Sequence, residues 1–403
     1  MSGTPMTSAH AAAHPLRGKT VLVVSRCAWT LFNFRLPLMR ALMQAGAKVI
    51  ALGAGGDGYE SRLRAAGIDY RPIPVAQRSL NPFADLALVL ALSSIIRRER
   101  PSIVHCFTIK PAIFGTIAAR LRGVPGRVVT ITGLGHAFTS ASALLNRVVV
   151  ALYRLALTGA HLVYFQNAED LQMFVNRGLV HGSKAELTAG SGVDVTRFAA
   201  VPLAIELSAG APRFLMIARL IREKGVREFL EAAAAVKQRY PDVEFSLLGG
   251  EDPRNPSALD PAEMRALRSS QVVRWLGETD DVRSHIAAAD AVVLPSYREG
   301  LPRVLLEAGA MGRAAIATDV VGCRDVVVPD VTGLLVPPMD AAALAAAICR
   351  LVEHPQALVT MGAAARARVV ENFDEQAVIA TTLAGYRRLI AARGTDADTA
   401  PAA

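Results

Sequence analysis

Cysteine is scarce in this 403-residue chain: Cys27, Cys106, Cys323 and Cys349 stand alone, with no CxxC and no paired spacing. That excludes a disulfide framework and a cysteine-based zinc site, and it fits a reducing compartment. Aromatic residues make up 5% of the sequence, which leaves little for base stacking, and no nucleic-acid-binding motif is present. Nucleic acid is therefore not an expected partner. Runs able to cross a bilayer are also missing. DLALVLALSSII from Asp85 is too short, and the apolar stretch from Leu144 carries Arg147 and Arg154. No strand-to-helix turn carries GxGxxG, since TGLGHAF from Thr132 lacks the third glycine, and GxxxxGK[ST] does not occur. Dehydrogenase and P-loop chemistry are thereby disfavoured. No DxD-type metal motif stands at a strand end; Asp280 and Asp281 read as a helix cap, and no metal ligands are expected.

What is present is ample apolar material, 52% of residues, distributed in alternating patterns. From Thr20 onward, strand-like runs (TVLVVS, AKVIALG, IDYRPIPV, SIVHCF, RVVTIT, AHLVYF, KAELTAG) alternate with helical spacing. After the turn-rich stretch from Gly190 the pattern restarts with RFLMIA, VEFSLLGG, VVRWLG, AVVLPS, AAIATD and GLLVPP. Such alternation predicts an α/β protein of two doubly wound, Rossmann-like parallel sheets facing across a cleft. The expected organisation is a flexible leader over 1–17, one domain over 18–195 and a second over 196–373. A C-terminal helix over 374–393 is expected to turn back toward the first domain, and 394–403 forms a tail.

Charge divides along the same line. Residues 1–195 hold 21 Lys and Arg against 9 Asp and Glu, whereas 196–403 hold 23 against 26. The first half therefore faces something anionic, for which an acidic lipid surface or a phosphorylated substrate suits better than nucleic acid. The basic apolar helix around Leu144 fits a protein lying on the cytoplasmic leaflet, or equally a packed helix with exposed arginines.

Three stretches carry chemistry. In SYREGLPRVLLEAGAMG, from Ser296, Gly-Leu-Pro separates a strand from a helix, with Glu299 before the turn and Glu307 after it. Proline suits the first helical position and Gly300 permits close backbone approach, so the two acids can address different parts of one ligand. One solvated acid plus one helix-surface acid is the plainer alternative. In RLIREKG, Arg219 and Lys224 place two cations beside a strand end and a helix start, which suits a diphosphate. LLGG ends another strand in Gly249 and Gly250.

Together with IATDVVGCRDVV and TGLLVPP, these stretches closely resemble the retaining family 4 glycosyltransferases of the GT-B type, whose E-x7-E pair matches Glu299 and Glu307. The resemblance implies a nucleotide-diphosphate sugar, with UDP expected, in the cleft. Glu307 would bind the ribose hydroxyls, Glu299 the transferred sugar, Arg219 and Lys224 the diphosphate, and the backbone at Gly300 and Leu301 the sugar or its phosphate. It also implies a metal-independent transfer that retains configuration and needs no cofactor. FNFRLPLM, HCFTIKPAIFGTIAARL and TITGLG in the first half resemble bacterial enzymes that extend undecaprenyl-diphosphate-linked saccharides. By that resemblance the acceptor is a lipid-diphosphate saccharide, and the protein sits on the inner face of the cytoplasmic membrane. Asn33-Phe34-Arg35 is expected in the first strand-to-helix loop, where relatives carry a glycine pair. Arg35 and Lys110, at strand mouths, are candidates for the acceptor diphosphate, and Thr132 or His136 for the donor sugar. A nucleotide-sugar epimerase on the same plan and a non-catalytic nucleotide-sugar-binding protein remain as alternatives.

Overall fold

The computed structural model describes residues 15–76, 81–133, 143–203, 210–253 and 255–398. Two all-parallel sheets organise it. The first joins β1 (Thr20–Cys27), β2 (Lys48–Ala54), β3 (Asp69–Pro72), β4 (Ile103–Phe107), β5 (Gly126–Ile131), β6 (Leu162–Phe165) and β7 (Ala185–Leu187) in the order β3-β2-β1-β4-β5-β6-β7. The second joins β8 (Arg213–Ile217), β9 (Glu244–Leu248), β10 (Val273–Trp275), β11 (Ala291–Leu294), β12 (Ala314–Thr318) and β13 (Gly333–Val336) in the order β10-β9-β8-β11-β12-β13. Every residue of β4, β6, β11 and β12 is buried, as expected for strands covered by helices on both faces.

Strand order reverses between β1 and β4 and again between β8 and β11. Crevices at such reversals, beyond the carboxyl ends of the strands, are where open α/β sheets take ligands. The chain passes between the lobes twice, side by side: Val193 N–H donates to Phe373 O at 2.9 Å, and Glu375 N–H donates to Val193 O at 3.1 Å. The last helix, Glu375–Asp398, then packs Ile379 and Tyr386 into the core of the first lobe.

Three local readings are corrected. Asn33-Phe34-Arg35 is not in a loop: the helix Ala28–Gln44 begins directly after β1, so these residues fall in its second turn. Cys27 caps it without a side-chain bond to a helix N–H, so no capping residue marks the boundary in the sequence. Pro302 stands one place before the first helical residue, Arg303. Of the two aspartates, Asp281 accepts from Arg283 N–H at 3.1 Å, whereas Asp280 reaches across the cleft to Tyr59 and Arg62 at 2.5 and 2.7 Å.

Candidate active site

Between the lobes lies a cavity of about 1270 Å³. From the second lobe Arg219, Gly249, Gly250, Arg303 and Glu307 line it; from the first, Asn33, Phe34, Tyr59 and Arg62. The floor is set by backbone proximity. A side chain at Gly249 would put its Cβ 1.7 Å from Ala218 O, so only glycine lets the β8 and β9 ends meet there. Arg219 follows directly and pairs with Asp252 at 3.3 Å.

Lys224 and Glu299 meet at 2.5 Å, both largely buried. The pair joins the loop after β8 to the loop after β11, the two strands that flank the order reversal. Glu299 is carried into the Gly-Leu-Pro turn, whose Gly300 is pressed against the first lobe: a Cβ there would lie 2.6 Å from Thr132 O. Asn167 Nδ2 donates to Gly300 O at 3.0 Å, and Leu301 packs against Gly190. The structure thus brings Glu299, Gly300, Leu301 and Thr132 together at the junction of the lobes. His136 lies outside the described residues.

Glu307 projects from the helix Arg303–Ala310 and accepts from Arg303 Nε at 2.8 Å. Burial pushes its carboxyl above the ordinary value, and the Arg303 charge pulls it back. Arg303 also donates to Asn33 O of the first lobe. Further cross-lobe contacts are Arg298 to Asp170 and Arg324 to Glu169, the latter at 2.7 Å.

The first-lobe cations differ in kind. Lys110 is neutralised by Asp85 at 2.5 Å. Arg35 is only 8% exposed, lies 4.0 Å over the Phe107 ring, and has no hydrogen bond or ion pair among the described residues. Burial, with repulsion from Arg303, pulls its guanidinium down to about 9. It borders a small cavity of about 20 Å³ with Thr188, Ser191 and His105. His105 itself is held between Tyr386 and Thr130 at 2.6 and 2.7 Å, and its burial depresses the imidazolium form.

Among the described residues no cluster of three or more His, Cys, Asp or Glu is placed to hold a metal, and no helix is long and apolar enough to cross a membrane. Arg303, Asn167 and Arg298 were not singled out by the sequence, and Asp280 was read only as a helix cap. Of these only Arg303 had a nearby signal, the proline at position 37, inside the helix that it touches.

Comparison with known proteins agrees with this fold. Residues 211–354 match the model described as "Glycosyl transferases group 1", and 35–189 match the "Glycosyl transferase 4-like domain". The N,N'-diacetylbacillosaminyl-diphospho-undecaprenol alpha-1,3-N-acetylgalactosaminyltransferase of Campylobacter jejuni is 28% identical over 381 residues, 91% of this chain and 98% of that protein. A UDP-Gal:alpha-D-GlcNAc-diphosphoundecaprenol alpha-1,3-galactosyltransferase of Escherichia coli is 26% identical over 75% of this chain and 80% of its own length. Among solved structures, sucrose-phosphate synthase from Thermosynechococcus elongatus superposes with a TM-score of 0.76 at 23% identity, covering 93% of this chain and all of that one. Anabaena HepE in complex with UDP and glucose gives 0.74 at 20%, covering 91% and 100%. With both lobes matched in sequence and the twin-sheet architecture shared, the chain belongs to the group 1, family 4-like glycosyltransferases of the GT-B fold.

Proposed function

We propose that this glycosyltransferase moves a hexosyl or N-acetylhexosaminyl group, with retention, from a UDP-sugar to a lipid-diphosphate-linked saccharide of bacterial surface glycan synthesis. The observation that carries this reading is the arrangement at the β8/β11 reversal: Arg219 and Glu307 line the cavity between the lobes, and the Lys224–Glu299 pair joins the loops that follow β8 and β11. In this reading the unit 196–373 takes the donor and 18–195 the acceptor. Arg219 and Lys224 neutralise the departing diphosphate, which is where negative charge develops as the sugar gains oxocarbenium character. Glu299 holds the sugar and Glu307 the ribose. The backbone of Gly249, Gly250, Gly300 and Leu301 approaches phosphate and sugar, and Thr132 faces the sugar from the other lobe. The acceptor hydroxyl forms its bond to the anomeric carbon as the carbon–phosphate-oxygen bond breaks. Its proton passes to the leaving phosphate oxygen, so neither a protein nucleophile nor a metal is required.

The acceptor assignment draws on the Campylobacter and Escherichia relatives, both named for diphospho-undecaprenol substrates. Arg35 supports it physically, because a buried guanidinium with no counter-ion among the described residues favours an incoming phosphate; Asn33 and Lys110 are the further acceptor candidates of this reading. A membrane seat is supported by the helix Pro82–Glu99. Phe83, Leu86 and Leu90 are 79%, 55% and 61% exposed on one face, and Arg97 and Arg98 continue it. In the helix Ala143–Thr158, the face with Arg147 and Arg154 also exposes Val148 and Leu155. Apolar side chains interleaved with arginines suit an anionic leaflet. Assaying purified protein with UDP-sugars and a diphosphate-lipid saccharide, with and without EDTA, tests the reading. Transfer that survives EDTA and gives an α-linkage supports it; donor hydrolysis or epimerisation without transfer overturns it.

A further inference from the structure

An α-helix bonds each carbonyl to the N–H four residues on. In the helix Ala28–Gln44 the residue four past Asn33 is Pro37, which has no N–H to give. The Asn33 carbonyl therefore loses its intrahelical donor, at a position lining the cleft. Arg303 of the second lobe supplies a donor instead through Nη1, while its Nε holds Glu307 Oε1 at 2.8 Å. Its guanidinium stands 5.3 Å from the Phe34 ring centroid, so the planar fork is fixed on three sides. Glu307 retains its second oxygen for another partner, because a carboxylate offers about four acceptor sites and Arg303 Nε takes one of them.

We propose that Arg303 is a positioning residue that couples the Glu307 carboxylate to the seating of the first lobe, through the carbonyl that Pro37 leaves without a helical donor. The inference rests on the nucleotide-sugar reading above and adds a coupling to it. Arg303 favours the ionised form of Glu307 against the effect of burial and holds it at the cleft, and the same guanidinium registers whether the first lobe is in place. Ribose binding at Glu307 and closure onto Asn33 then favour one another. A single ammonium cannot span both partners as the guanidinium fork does.

Two measurements on the full-length protein test this, using Arg303→Met and Arg303→Lys. The first needs no nucleotide: the Glu307 carboxyl is titrated by carbon-13 NMR, assigned by loss of its signal in Glu307→Gln. Arg303→Met should raise its midpoint, and Arg303→Lys should restore it. The second is calorimetric affinity for UDP together with the scattering radius of gyration before and after UDP. Arg303→Met and Arg303→Lys should both bind UDP about tenfold more weakly, the scale of losing one charge-assisted hydrogen bond, and both should contract less on binding. An unchanged Glu307 midpoint in Arg303→Met overturns the proposal. So does a lysine variant with full UDP affinity and full contraction, which would show that the Asn33 arm carries nothing. If the titration shifts as expected but wild type binds no UDP, the pairing stands and the donor reading has failed.

Discussion

The Lys224–Glu299 pair offers the sharpest separation of catalysis from stability. At 2.5 Å and with both side chains largely buried, removing one partner leaves the other's charge poorly solvated, at about 1–3 kcal/mol of stability. Replacing both with neutral groups of similar shape removes that penalty. Lys224→Met and Glu299→Gln should therefore each lower the denaturation midpoint, and the double variant should recover most of the loss. Activity should behave in the opposite way. If Lys224 neutralises the leaving diphosphate, its loss removes about 3 kcal/mol of transition-state stabilisation, a fall of about 150-fold in kcat. The double variant cannot recover that, because neither group that meets the substrate remains. Equilibrium urea unfolding and steady-state transfer assays on the four proteins complete the cycle. A double variant that regains activity along with stability would refute the reasoning and reduce the pair to a structural brace.

Other outcomes follow from single features. Arg313 is fully buried and donates to five carbonyls, of Ile286, Ala287, Val201, Pro202 and Met311. Arg313→Met should lower unfolding free energy by about 3 kcal/mol or more, and a loss under about 1 kcal/mol in urea would contradict that. Glu99, held by Arg71 and Lys48, has its carboxyl lowered from 4.5 to about 2. A lowered carboxyl stabilises the fold above its ordinary value and loses that contribution as pH falls toward 2. Glu99→Gln should thus cost about 1 kcal/mol at pH 7, screening by solvent at its exposed partners included; the difference from wild type should shrink below pH 4.5, and a constant difference argues against the ion pairs. Replacing Phe83, Leu86 and Leu90 by serine should abolish co-sedimentation with phosphatidylglycerol vesicles while leaving circular dichroism unchanged; undiminished binding removes this face from the membrane reading.

Much of the fold was legible because parallel strands buried on both faces are continuous apolar runs, and SIVHCF, AVVLPS and AAIATD match β4, β11 and β12 closely. The E-x7-E spacing was legible because both acids sit within one strand-turn-helix unit. The first helix start was not, since Cys27 gives no capping bond and Ala28 follows without a turn residue. Cross-lobe partners were invisible for a different reason. Arg303 and Asn33 are 270 positions apart, and Tyr59 and Asp280 are 221 apart, so nothing local signals either contact. Arg313 reads as an ordinary surface charge after a helix; only the packed carbonyls of residues 201–202 and 286–287 reveal its role. Pro37 stood in plain view, and its meaning depended on a residue in the other lobe.

The claim on which the rest depends is that a nucleoside diphosphate is held in the cleft with its ribose on Glu307. Calorimetry of UDP against 2′,3′-dideoxy-UDP, in wild type and in Glu307→Gln, tests it most directly. Wild type should prefer UDP by about tenfold or more, as expected for a charge-assisted contact to the diol, and the substitution should erase the preference. Equal affinity of wild type for the two nucleotides would contradict the account.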